Sequence, residues 1–350
     1  MSISTLIDES RLSALQIGVI AVCFFLNMLD GIDVLAISFA APFITDDWTM
    51  SPQALGIVFS AALVGMTIGA VFISPYTDVI GRRKMILACM VVISAGMIAT
   101  SFAQSITQLL LLRLFAGLGI GTMLASLTSM VSEFAPNRHR NLCVLILHAG
   151  YPIGAIIAGF VAAWMLPEYG WRPLFVFAGL LSLVSVPLVF FLLPESLEFL
   201  VNKQPPNALT SINKVLNRMG HSPLDVLPEK TNSSKVSGGV RALFSNELKT
   251  PTLILWTAFM MSFATLYFLL SWVVKLAVES GLSIENAMYA GITLNLGAVF
   301  GSLTLGFLSM RFGLKRIISC FFFFGSPIIV AYGNLDVSVF IVLILIFFLM

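Results

Sequence analysis

The sequence predicts an all-α, polytopic membrane protein. Hydrophobic residues make up 58% of the 350 residues and charged residues only 10%, whereas a soluble globular domain carries about 25% charged residues. Apolar runs recur along the chain at about 20 residues, the length that a helix needs to cross the hydrocarbon of a bilayer. Helices are expected for these runs because a helix pairs its own backbone polar groups where water is absent.

Nine apolar runs have the length and composition of membrane-spanning helices. They cover residues 15–41, 53–76, 84–103, 107–131, 142–166, 172–193, 252–275, 284–309 and 315–333. A tenth run begins near Val337 and stops at Met350, and about 13 residues at 1.5 Å each rise only about 20 Å. We therefore expect a protein that is truncated at its C-terminus.

The distribution of lysine and arginine predicts the orientation, because cytoplasmic loops carry an excess of these residues. All but three of the 19 fall on one side of the predicted spans, and the exceptions are Arg113, Arg172 and Lys275. The N-terminus and the polar segment 194–251 are therefore predicted to be cytoplasmic, in a multi-pass protein of the inner membrane. A short helix is expected near 207–219 within that segment.

An internal repeat predicts two helix bundles. A shift of 232 residues superimposes three glycines of each half: Gly65, Gly69 and Gly81 on Gly297, Gly301 and Gly313. Parallel repeats of this kind relate the two halves of some transporters. We predict an N-terminal six-helix transmembrane bundle (1–193), a cytoplasmic linker loop (194–251) and an incomplete C-terminal transmembrane bundle (252–350).

The sequence carries no motif of a catalytic or nucleotide-binding site. It has no Walker loop, no H-E-x-x-H and no G-x-S-x-G, and its four cysteines show neither C-x-x-C spacing nor a disulfide pattern. A net charge of +2 does not suggest nucleic acid as a partner. We expect no enzyme activity, no metal and no cofactor.

Charged residues inside the predicted spans indicate a functional site. Asp30 and Asp33 are three residues apart in "NMLDGIDVLAI" and so share one helical face. A charge at the bilayer centre costs roughly 2.5–3.5 kcal/mol on insertion scales and should have a partner. Because Asp33 and Arg113 fall at one depth, we predict a pair or near-pair that lines a cavity.

This predicted pair suggests a coupling mechanism. A substrate carboxylate would compete for Arg113, and the released Asp33 would take a proton, so that both load together. The alternative is a static buried ion pair that only fixes the register of two helices.

Motifs in the first half resemble those of the major facilitator superfamily. "DVIGRRK" is similar to its loop signature G-x-x-x-D-x-x-G-R-[RK] through Asp78, Gly81, Arg82 and Arg83, with Ser74 in place of the first glycine. "RLFAGLGIG" is similar to its R-x-x-x-G pattern, and "SEFAPNRHR" and "PESLEFL" resemble its cytoplasmic signatures. The D-G-x-D of the first span resembles the aromatic acid:proton symporter branch.

This resemblance implies the major facilitator fold, with 12 spans expected and about 9–10 present. It also implies a cytoplasmic latch of charged residues that holds helices together and must break as the bundles move. The residues assigned to it are Asp78, Gly81, Arg82, Arg83 and Glu133. The alternative is that the basic turn only anchors the chain at the membrane surface.

The function implied is proton-coupled import of a small aromatic carboxylate, of the benzoate or hydroxybenzoate type, by alternating access. The energy source would be the proton gradient, and the protein would act as a monomer in the lipid bilayer. Asn27, Tyr267 and Asn295 are possible substrate contacts, although hydrogen bonds between helices are the commoner use of such residues. A symporter for another organic acid or a sugar, and a non-functional truncated transporter, remain open as alternatives.

Overall fold

The computed structural model describes residues 12–228, 243–245 and 247–334, and it contains no strand in those ranges. Its helices are α1 (Ala14–Asp47), α2 (Pro52–Ile80), α3 (Arg82–Ser101), α4 (Ile106–Phe134), α5 (Arg140–Tyr169), α6 (Arg172–Leu192), α7 (Leu197–Lys203), α8 (Ala208–Arg218), α9 (Lys249–Glu279), α10 (Ile284–Phe312) and α11 (Leu314–Asn334). The predicted all-α fold is confirmed.

Eight of the described helices are long and apolar enough to cross a membrane, by length and composition. They are α1 to α6, α9 and α10, and they match the first eight apolar runs. The ninth run forms α11, whereas the tenth, near Val337, lies outside the described residues. The short helix expected near 207–219 is confirmed as α8.

Serine caps and one glycine set the ends of the first helices. Ser13 accepts a hydrogen bond from the backbone of Gln16, whose side chain accepts one in return from the backbone of Ser13, so the first turn of α1 is satisfied at both residues. Between α2 and α3, Gly81 has a φ of 107°. That backbone conformation favours glycine and permits the abrupt turn between the two helices.

Glycines also let pairs of helices approach at backbone distance. A Cβ atom at Gly31 of α1 would collide with the carbonyl oxygen of Tyr151 on α5, and one at Gly154 would collide with that of Met28. The same holds between α2 and α4 at Gly65. Small residues are used in this way where lipid gives helices no hydrophobic reason to associate.

We call the side of the molecule with the Gly81 turn the basic end and the opposite side the far end. Helix α9 contacts α1 towards the far end, where Ser38 Oγ donates to the carbonyl oxygens of Leu270 (2.7 Å) and Ser271 (2.9 Å). Lys275 Nζ donates to Thr45 Oγ1 at 2.9 Å in the same region. Towards the basic end, α9 exposes most of its large apolar side chains between residues 253 and 263. The contact between α1 and α9 is therefore made at the far end.

Candidate functional site

Asp30 lies in the middle of α1 with 1% of its surface exposed. Neither of its carboxylate oxygens has a hydrogen-bond partner among the described residues. A buried polar group without a partner is costly, and a buried charge without one is costlier still. Asp30 is thus a group that a proton or a hydrogen-bond donor from a ligand would stabilise.

Asp33 is equally buried but has a partner on another helix. Its Oδ2 atom accepts a hydrogen bond from Ser182 Oγ of α6 at 3.1 Å, while its Oδ1 atom has no partner in the described part of the chain. Ser182 did not stand out in the sequence, because serine is common in apolar helices and nothing local marks it.

Arg113 of α4 is fully buried inside the N-terminal helices. Its Nη2 atom donates to the backbone carbonyl of Asp33 at 3.1 Å and its Nη1 atom contacts Met97 Sδ at 3.0 Å. Its guanidinium lies 5.7 Å from the centre of the Phe175 ring, a geometry that favours a cation. Arg113 is therefore held by a carbonyl, a thioether and an aromatic ring.

Asp33 and Arg113 form the near-pair that the sequence predicts, since their side chains interact electrostatically, although no hydrogen bond joins the carboxylate to the guanidinium. The two residues meet, yet the guanidinium binds the main chain of Asp33, because the rotation of α1 turns the Asp33 carboxylate towards α6. Neither residue lines the cavity described next, and their predicted place at a substrate cavity stays a prediction.

A cavity of about 720 Å³ lies between α2 and α9, within the size range of small-molecule sites. Its walls are mostly apolar, with a few polar side chains. The lining residues from α2 are Gln53, Gly56, Ile57, Phe59, Ser60, Leu63, Met66 and Thr67, and those from α9 are Phe263, Ala264, Tyr267, Phe268, Ser271 and Trp272. Of the three predicted substrate contacts, Tyr267 alone is among them.

Asn27 and Asn295 bind backbone carbonyls. Asn27 Nδ2 donates to the carbonyl oxygen of Leu147 on α5 at 2.8 Å, and Asn295 Nδ2 donates to that of Gly291 in its own helix at 2.9 Å. Both side chains are buried, and neither lines the cavity. Each Oδ1 atom has no partner among the described residues, and their role as substrate contacts stays a prediction.

A tyrosine that the sequence analysis missed lies close to Asp30. The hydroxyl of Tyr151 on α5 is buried without a hydrogen-bond partner in the described ranges, and it interacts electrostatically with both Asp30 and Tyr267. Tyr267 also interacts with Asp30. Three helices, α1, α5 and α9, thus bring a carboxylate and two phenols together.

A second group of charges lies at the basic end, and we call it the Arg82 cluster. Arg82 Nη1 is paired with Glu133 of α4, and Nη2 lies 3.5 Å from Asp78 Oδ1 and 3.3 Å from Glu198 Oε2 of α7. The side chain of Arg82 is 9% exposed and that of Glu133 13%, against 53% for Glu198 and 75% for Asp78. The Arg82–Glu133 pair is thus the buried centre of the cluster.

Residues of the "PESLEFL" segment complete this region. Glu195 Oε1 accepts from the backbone N–H of Arg83 at 3.0 Å, and Ser196 Oγ donates to Glu133 Oε2 at 2.5 Å. Arg83 also donates to the Phe190 carbonyl. The motif was recognised in the sequence, but Glu195, Ser196 and Glu198 were not assigned to the latch because their return to the turn requires the fold of α7.

Within the described residues, no group of three or more His, Cys, Asp or Glu side chains could hold a metal ion. The arrangement instead offers an unpartnered carboxylate near a cavity and a set of ion pairs at one end. Such groups can bind and release a proton and can break and reform as helices move.

The Major Facilitator Superfamily family model matches residues 23–350. A gallate transporter of Pseudomonas putida is 32% identical over 334 residues, which cover 95% of this chain and 74% of the relative. The 4-hydroxybenzoate transporter PcaK of Acinetobacter baylyi is 34% identical, covering 91% of this chain and 70% of the relative. The partially occluded, inward-open xylose transporter XylE from E. coli has a similar fold, with a TM-score of 0.72, 16% identity, and coverage of 96% of this chain and 81% of that one.

Proposed function

Because this chain belongs to the Major Facilitator Superfamily, we propose that it imports a small aromatic carboxylate together with a proton by alternating access. The gallate and 4-hydroxybenzoate transporters that resemble it support the substrate class. The proposal assigns it no chemical reaction and no cofactor, since the proton gradient would supply the energy.

The unpartnered carboxylate of Asp30 is the observation that carries the proton coupling. Its two oxygens lack any partner in the described residues, so the charged form is poorly stabilised where it lies. A proton would remove that cost when the site is closed, and water would remove it when the site is open. Opening and closing would therefore bind and release a proton at Asp30.

In this proposal Arg113 is a positioning residue. It fixes α1 through the carbonyl of Asp33 and is enclosed by Met97 and Phe175, and it is not among the residues that line the α2–α9 cavity. We therefore replace the competition of a substrate carboxylate for Arg113 with binding of the substrate ring near Tyr267, which lines the cavity. Asp33 would remain a second proton carrier, stabilised by Ser182.

Alternating access would use the two ends of the molecule in turn. We propose that the basic end is cytoplasmic, which follows from the excess of lysine and arginine there. The contacts of Ser38 and Thr45 with α9 would then close the outside, and the Arg82 cluster would be the latch at the inside. The bundles 1–193 and 252–350 would rock about the site between them.

Thermal stabilisation of the purified protein across a ligand panel tests the substrate class, since a ligand that binds the folded state raises its melting temperature. The panel is benzoate, 4-hydroxybenzoate, succinate and xylose, each at the same pH and ionic strength. We expect both aromatic acids to raise the melting temperature and xylose to leave it unchanged. Stabilisation by xylose alone would overturn the proposal in favour of a sugar porter, and by succinate alone in favour of another organic acid.

A further inference from the structure

Three buried polar atoms without a hydrogen-bond partner lie near one another on α1 and α5. Asp30 contributes two carboxylate oxygens and Tyr151 contributes its hydroxyl, all buried and without a hydrogen bond among the described residues. Unsatisfied buried polar groups are uncommon in folded proteins, and each requires an explanation. A ligand that supplies the missing hydrogen bonds is one such explanation.

The packing of α1 against α5 fixes this arrangement. Asn27 binds the carbonyl of Leu147, and one helical turn further along both helices Gly31 lies against the carbonyl of Tyr151. Because α1 and α5 run parallel here, Asp30 and Tyr151 lie at the same level. The closeness of their side chains therefore follows from a tight backbone contact.

Tyr267 connects this level to the cavity. Its side chain lines the space between α2 and α9 and interacts electrostatically with both Asp30 and Tyr151. A ligand in the cavity that contacts Tyr267 is thus adjacent to the unpartnered groups.

We propose that Asp30, Tyr151 and Tyr267 form a subsite for a ring hydroxyl of the substrate, so that the protein selects hydroxylated aromatic carboxylates over unsubstituted ones. This inference rests on the proposed function, because it assumes an aromatic carboxylate as cargo. A phenolic hydroxyl can donate to the Asp30 carboxylate and accept from a tyrosine hydroxyl. The carboxylate can accept this bond before it binds its proton, and the protonated carboxyl group still accepts it through its carbonyl oxygen.

The charges around the subsite disfavour the carboxylate end of the substrate. Before Asp30 binds its proton, a substrate carboxylate placed against it would face a like charge in a poorly hydrated site. The buried cations of α4 and α9 have other partners: Arg113 binds the carbonyl of Asp33, and Lys275 binds Thr45 and Glu279 at the far end. The hydroxyl end is therefore the end that suits this subsite.

Equilibrium binding to the purified wild-type chain tests the selectivity without any variant. The ligands are benzoate, 4-hydroxybenzoate and 4-methoxybenzoate, and the last keeps the ring oxygen but cannot donate a hydrogen bond. We expect 4-hydroxybenzoate to bind roughly ten- to a hundredfold more tightly than the other two ligands. The reason is that the other two would leave buried polar groups of the subsite without a hydrogen bond. Equal affinities for all three would overturn the subsite and leave the proposed function standing, whereas no binding of any would overturn both.

Tyr151→Phe removes only the hydroxyl and localises the effect. We expect it to lower the preference for 4-hydroxybenzoate over benzoate by about tenfold, mainly by weakening the hydroxylated ligand. Tyr267→Phe should act in the same direction, and Tyr169→Phe, at an exposed position of the same helix as Tyr151, is the matched control. An unchanged preference in folded Tyr151→Phe and Tyr267→Phe proteins would contradict the inference.

Discussion

Two buried charged groups of this protein, Asp30 and Arg82, differ in their partners. Arg82 at the basic end is shared among Asp78, Glu133 and Glu198, whereas both carboxylate oxygens of Asp30 lack a partner in the described residues. The two residues are buried to a similar degree, at 8% exposure for Arg82 and 1% for Asp30. Burial alone therefore does not distinguish their roles.

The two arrangements differ in whether they stabilise the fold or bind a proton or ligand. A buried charge with its partners in place holds segments together, and removing one partner leaves the others uncompensated. A buried carboxylate with none contributes little to stability and is open to a proton or a ligand. We accordingly expect substitutions of Arg82 to affect folding or conformation and substitutions of Asp30 to affect transport.

The largest effect is expected for Asp30→Asn, because it removes the carboxylate that we propose as the main proton carrier. Substrate-driven proton uptake in proteoliposomes should fall on the order of 100-fold, while the melting temperature stays the same or rises. Asp33→Asn should have a smaller effect, since Ser182 already binds that side chain. Asp46→Asn, an exposed acid of the far end, is the control; full coupling in Asp30→Asn would remove this residue from the mechanism.

Arg82→Met should reduce the free energy of unfolding by about 3–5 kcal/mol, the cost of breaking a buried ion pair. The measurement is chemical denaturation of the purified protein in detergent. The double variant with Glu133→Gln should recover part of the loss, because it removes the stranded carboxylate. A single variant as stable as the wild type would show that the Arg82 cluster holds nothing together.

Lys275→Met should weaken the far-end contact by about 1–2 kcal/mol, since it loses a hydrogen bond from a charged group. Spin labels at Thr49→Cys and Ser280→Cys, with exposed Cys320 replaced by Ser, report the separation of α1 and α9 at that end. We expect a larger fraction of long distances in the variant. Lys315 is an exposed lysine outside this contact, so the control variant Lys315→Met should leave the distances as in the wild type. Unchanged distances in Lys275→Met would show that this contact does not hold the far end closed.

The smallest effect is expected for Asp78→Asn, at no more than about 0.5 kcal/mol, because its side chain is 75% exposed and exposed ion pairs contribute little. Glu133→Gln, with 13% exposure, should cost several times as much in the same denaturation assay. The opposite order would place the centre of the cluster at Asp78 rather than Glu133.

The sequence predicted the fold better than the site, for a physical reason. Hydropathy and length define a membrane span, so the positions of α1 to α6, α9 and α10 follow from the apolar runs. The depth of Asp33 and Arg113 follows from counting residues, but the atoms that meet depend on helix rotation, which the sequence does not specify. The roles of Tyr151, Ser182 and Glu198 depend on neighbours far away in the chain; no local pattern marks the first two, and the motif around Glu198 does not show that this residue meets Arg82.

Accumulation of 4-hydroxybenzoate by proteoliposomes, with the membrane voltage clamped at zero, tests the proton coupling most directly. When the outside is made more acidic than the lumen, we expect 4-hydroxybenzoate to accumulate inside above its external concentration. When the pH is equal on both sides, we expect no accumulation. Equal accumulation in the two conditions would contradict the proton coupling.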